Sequence, residues 1–95
     1  MPDVHEPRPE ALAEVTEAER VELDVRPTLR DGGEPFSLIM ETAGRVPEGH
    51  VLRLHAPFKP VPLFGVMRAR GWKHWAELGE GDEWIVWFYR TRDVA

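Results

Sequence analysis

Six consecutive apolar residues, Trp84-Ile85-Val86-Trp87-Phe88-Tyr89, constrain the fold of this chain more than any other stretch. The run is far shorter than the roughly 20 residues a membrane-spanning helix needs. Aromatic and β-branched residues dominate it, which favours an extended strand. Side chains alternate across a strand, so Trp87 and Tyr89 share one face while Trp84, Val86 and Phe88 share the other. A strand apolar on both faces belongs inside a sheet. The stretch "WKHWAEL", 72 to 78, precedes it, and "GEGD" joins the two as a hairpin signal. The third strand of the chain is therefore expected at an edge, with the fourth inside.

The rest of the chain supplies partners for that strand. In "VELDV", 21 to 25, Val21, Leu23 and Val25 alternate with Glu22 and Asp24, the pattern of a strand with one covered side. Pro27 ends it, and the glycine loop "LRDGGEPFSL", 29 to 38, follows. "PFSLIMETAGRV", 35 to 46, has Phe36, Ile39, Met40 and Ala43 at helical spacing, with Pro35 suited to a first turn. "HVLRLHA", 50 to 56, reads as a second strand and "VPLFGVMRARG", 61 to 71, as a short helix. Two right-handed crossovers stepping the same way place both helices on one side. The expected architecture is α/β, a two-layer βαβαββ sandwich. It has a mixed four-stranded sheet, two helices on one face and nothing on the other. Residues 1–20 read as an acidic leader, either disordered or a marginal helix, and 21–92 as the folded domain.

Charge and composition exclude several classes of function. The first twenty residues hold six acids and two arginines, whereas the remainder is nearly balanced. No basic stripe results, so binding to a nucleic-acid backbone is not expected, although Arg68, Arg70 and Lys73 lie close together in sequence. No apolar run suits a membrane, and the first ten residues lack the pattern of a secretory signal, so the expected compartment is the cytoplasm. The chain has no cysteine, which removes disulfides, thiolate nucleophiles and cysteine-ligated metals together.

The order of these signals resembles a known family. A strand "LDVR", a loop ending in Glu-Pro, a helix, then "PEGHVLRLH", a "PVPL" helix opening and "RGW…W…L" leading into a hairpin resemble the DUF2249 family over residues 21–90. The wider resemblance is to the TusA-like fold of small bacterial sulfur carriers. In those carriers the loop before the first helix holds a Cys-Pro-x-Pro motif whose cysteine bears a persulfide. Laid on this chain, the motif falls on Gly32, Gly33, Glu34 and Pro35, with Gly32 in place of the cysteine. The resemblance implies the carrier's fold without its persulfide chemistry.

Three sets of residues are candidate sites. The loop Asp31, Gly32, Gly33, Glu34 and Pro35 could leave backbone N–H groups free beside a helix N-terminus, and His55 and Lys59 form a lip facing it. Trp75, Trp87 and Tyr89 are expected outward on the bare face, as a partner or self-association surface. His55 and His74, with Asp24, form a weak candidate for metal or acid–base chemistry, without the spacing of a recognised metal motif. His5 and His50 have no such company. The expected function is a non-catalytic binding or protein-interaction module with no cofactor and no membrane or nucleic-acid partner. Its occupant would be a protein, a second copy or a small molecule. The alternative is a small metal- or cofactor-binding protein or enzyme using His55, His74 and Asp24.

Overall fold

A computed structural model describes residues 7–81 and 83–90. The element order is β1 (Arg20–Asp24), α1 (Arg26–Arg30), α2 (Pro35–Gly44), β2 (Val51–Ala56), α3 (Val61–Ala69), β3 (Lys73–Leu78) and β4 (Trp84–Tyr89). The strands form one mixed sheet in the order β1-β2-β4-β3. β1 runs parallel to β2, and β4 pairs antiparallel with both β2 and β3. The doubly apolar strand thus lies inside the sheet and β3 at an edge, as the alternation in sequence predicts.

The main core follows from that alternation. Leu52 and Leu54 of β2 and Val86 and Phe88 of β4 point to one side, where they meet Ile39 and Ala43 of α2 and Leu63 and Met67 of α3. Leu52, Leu54, Met67, Val86 and Phe88 are fully buried. Each such side chain contributes about 1.5–3 kcal/mol by leaving water. Arg90 closes the far end: its guanidinium donates to the carbonyls of Val46 and Pro47, each at 3.0 Å, and lies over the Trp72 ring.

Two expectations are corrected. A third helix, α1, stands where an irregular loop was expected: Pro27 does not merely end a strand but sits in the first turn of a helix. Proline is tolerated there because the first N–H groups of a helix have no intrahelical partner. The other sheet face is also not bare. Residues 7–19 cross it as two short 3₁₀ turns, Glu10–Leu12 and Glu17–Glu19. Leu12, only 1% exposed, enters a second cluster with Val51, Trp75, Ile85 and Trp87, with Val15 and Tyr89 at its margin. Trp75 and Trp87 are therefore buried and Tyr89 half-buried, not an exposed aromatic patch. A flat apolar face of that size recruits the nearest segment able to cover it, and Leu12 and Val15 suffice.

Candidate functional site

The glycine loop turns back on α1. Gly32 adopts a φ of 81°, in the left-handed region. Glycine enters that region at little cost because it has no Cβ. The Gly32 N–H donates to the Leu29 carbonyl at 3.1 Å, and that of Gly33 donates to the Thr28 carbonyl at 2.8 Å. A Cβ on Gly33 would come within 3.0 Å of the Thr28 methyl and 3.1 Å of its carbonyl oxygen. What approaches Gly33 so closely is Thr28 of α1 itself. The N–H groups of the two glycines cap that helix and are not available to an anion.

The start of α2 is likewise occupied. The Glu34 carboxylate accepts the Ser37 N–H at 3.2 Å. It so supplies the helix with its own negative cap. Hydrogen bonds from Ser37 hold the Glu34 carboxyl below its usual range. This cap fixes the first turn, with Pro35 against the body of the protein and Phe36 turned outward, 44% exposed.

Between α2 and the lip after β2 lies an open cleft of about 270 Å³. Val25 and the β2 residues Leu54 and Ala56 form its floor, and Leu29 closes the α1 side. Pro35, Phe36 and Ile39 line one wall; Phe58, Pro60, Pro62, Leu63 and Val66 line the other. No lining side chain carries a polar atom. The cleft opens at the carboxyl ends of β1 and β2, where open α/β sheets tend to bind ligands. Of the loop and lip residues singled out in sequence only Pro35 lines the cleft, together with Phe36, Phe58 and Pro60. Asp31 is exposed, and Lys59 lies over the Trp84 ring at 5.5 Å from its centre.

His55 points to the other sheet face, into a belt of charge. The parallel register sets Glu22 beside Arg53 and Asp24 beside His55. His55 Nε2 lies 2.8 Å from Glu22 Oε1, and Nδ1 lies 2.5 Å from Glu83 Oε2. A neutral imidazole has one N–H and one acceptor. Both contacts are donor–acceptor pairs only with a second proton on the ring or one on a carboxyl. Arg53 donates to Glu22 at 3.0 Å, and Arg26 grips Asp24 through Nε and Nη2 at 2.9 and 2.7 Å. Burial works upward on Glu22, but hydrogen bonds from His55 and Arg53 outweigh it and leave its carboxyl below the usual range. The His55 contact, assisted by the nearby Arg26, does the same for Glu83.

The His55–His74–Asp24 constellation does not assemble. His55 is in register with Ile85, on the face covered by residues 7–19, whereas His74 is in register with Phe88 on the helix-covered face. His74 stacks on Phe64 at 3.7 Å between ring centres, a packing role. Among the described residues no group of three or more His, Asp or Glu side chains is arranged to hold a metal. His5 lies outside the described residues. Among those residues no helix is long and apolar enough to cross a membrane.

The belt itself was missed as a unit. The signal was present in the matched alternation of "VELDV" and "VLRLHA", acids on one strand and bases on the other in step. Glu83 carried no such signal, because the hairpin turn delivers it.

A family model described as "Uncharacterized conserved protein (DUF2249)" matches residues 22–90. The chain belongs to the DUF2249 family. The match takes in all four strands except the first two residues of β1, together with both walls of the cleft and the whole belt. It begins after the segment 7–19 that covers the second face. No curated protein and no solved structure matches.

Proposed function

We propose that this DUF2249 chain is a non-catalytic binding module that seats an apolar side chain of a partner protein in the cleft. One observation carries the reading: every side chain lining the cleft is apolar, and Phe36 and Phe58 stand 44% and 52% exposed at its mouth. Small-molecule pockets ordinarily add a few polar groups that fix orientation. This cleft has none and suits a group with nothing polar to orient. A partner's side chain fits that requirement, because its polar backbone stays outside the open mouth of the cleft. An apolar cavity of roughly 150 Å³ is enough to admit benzene. The cleft is larger than that, so an aromatic ring fits.

The resemblance to TusA-like carriers agrees with a binding role. In that reading the carrier's reactive loop corresponds to the loop at the cleft's edge, with Gly32 at the cysteine position. The chain contains no cysteine on which a persulfide could form. No nucleophile, acid or base lines the cleft, which favours recognition without chemistry.

The test is a methyl-resolved NMR titration of the full chain with N-acetyl-phenylalaninamide and N-acetyl-leucinamide. Saturable shifts are expected at Leu29, Ile39, Leu54 and Leu63, and their loss in a Val66→Phe variant that fills the cleft. No response at these methyls up to the solubility limit, or an unchanged response in Val66→Phe, would refute the reading.

A further inference from the structure

Across the sheet face, the described contacts of the segment 7–19 are made by side chains. Its backbone bonds close on themselves: Leu12 N–H donates to the Pro9 carbonyl at 2.9 Å, Ala13 to Glu10 at 3.0 Å, and Glu19 to Thr16 at 3.0 Å. Among the described residues its backbone meets a strand only at the junction, where the Arg20 N–H at the start of β1 donates to the Glu17 carbonyl. Among the described residues, three side chains of the segment are seen on the face. Leu12 is fully buried, Val15 is half-buried, and the Arg8 guanidinium lies over two indoles, 5.2 Å from Trp75 and 5.0 Å from Trp87.

The receiving face is made for such a guest. Val51, Trp75, Ile85 and Trp87 form an apolar floor. Arg20 and Arg53 lie beside it, with their guanidiniums 5.3 and 5.0 Å from the Trp87 ring. Tryptophan and arginine are the residues that most often anchor protein interfaces. Acids also stand at this floor: Glu77 accepts the Trp87 indole N–H at 2.8 Å and Glu22 pairs with Arg53, so the Arg8 guanidinium over the two indoles meets a matching charge. The floor lies within the family match at 22–90, and the guest lies outside it.

We propose that this face is a peptide-binding site and that residues 7–19 are its tethered, displaceable occupant. The partner is a segment of another protein that presents a leucine-sized side chain, with an arginine four residues before it. The tether gives the resident segment a high effective concentration, in the millimolar range for short linkers, so the site stays closed until a stronger segment competes. The inference concerns the sheet face opposite the cleft, and it stands or falls independently of the cleft's occupant.

The experiment uses a full-chain Leu12→Asp variant, methyl NMR, and a synthetic peptide of residues 7–19 added in trans. The variant is expected to move the Val51 and Ile85 methyls while leaving Leu52, Leu54 and Leu63 near their wild-type positions. The peptide is expected to return Val51 and Ile85 toward those positions saturably, and a peptide carrying Leu12→Ser is expected to do so at least tenfold more weakly. A released face that ignores the peptide at millimolar concentration would overturn the proposal, as would Val51 and Ile85 methyls that Leu12→Asp leaves in place. If Leu12→Asp does not fold, the milder Leu12→Ala takes its place in the titration under the same criteria. A concentration-dependent wild-type dimer abolished by the same variant would reassign the face to exchange of leaders between two copies, and so reject the partner reading.

Discussion

Asp24 accepts three hydrogen bonds from Arg26, two from the guanidinium and one from the backbone N–H. The guanidinium bonds pull its carboxyl from 3.8 down to about 2 against the opposing cost of burial. A carboxyl with a depressed folded-state pKa stabilises the fold fully above its unfolded value, and that contribution is lost as pH falls through the folded one. The window here runs from about pH 4 down to about pH 2. The Asp24 side chain is 40% exposed. Solvent screening therefore keeps the contribution under about 1 kcal/mol. Asp24→Asn is expected to lower stability at pH 7 by that amount and to flatten the acid limb, as read by urea unfolding between pH 2.5 and 7. Gly79 governs the neighbouring contact. A Cβ there would sit 2.7 Å from Glu83 Oε1 and 2.9 Å from its Cδ, so Gly79→Ala must displace the carboxylate that faces His55. The expected outcome is a loss on the order of 1 kcal/mol and a shift of the His55 Nδ1 resonance, while the methyls of the cleft stay in place.

Among the elements, α2 is the clearest case of local sequence deciding local structure. Pro35 marks the helix start in sequence, and the structure adds Glu34 before it as the cap. Removing a capping side chain leaves a first-turn N–H without its protein partner. Glu34→Ala is therefore expected to speed amide exchange in the first turn of α2, at Ser37 above all, with little change in α3. Residues 26–30 were less legible. Arg-Pro-Thr-Leu-Arg is a single helical turn with no periodicity to detect, and its ending depends on Gly32 and Gly33 folding back. The 7–19 segment was unreadable for a different reason. Its two apolar contacts, Leu12 and Val15, gain their meaning only from the Trp75–Trp87 floor far along the chain. A weak helical signal in sequence became two 3₁₀ turns because tertiary burial, not helix propensity, sets the backbone there.

At the scale of the whole molecule, the sheet order was legible because it rests on gross alternation. Trp84–Tyr89 is apolar on both faces and lies inside, while Lys73–Leu78 carries charge and lies at an edge. What alternation could not show is which remote side chains meet. His55 and His74 each sit on a strand near aromatics, yet strand parity places them on opposite sides of the sheet. The cleft was half legible. The proline lip and the Glu-Pro loop were both visible in the sequence, but their facing walls come from Phe36 and Phe58, which the sequence shows as ordinary apolar residues.

The position of β4 bears on how the chain matures during synthesis. Ribosomes add roughly 5–20 residues per second, and elements can dock only after they leave the exit tunnel. β2 emerges after β1 and α2 and can pair with β1 on one side. Its other side awaits β4, which pairs Leu52 with Phe88 and Ala56 with Trp84. Between the emergence of β2 and that of β4 the chain therefore carries an unpaired strand edge, a ready template for pairing with another chain. The six apolar residues 84–89 enter that slot as they appear, so the most aggregation-prone stretch of the sequence is also the one with a docking place already built.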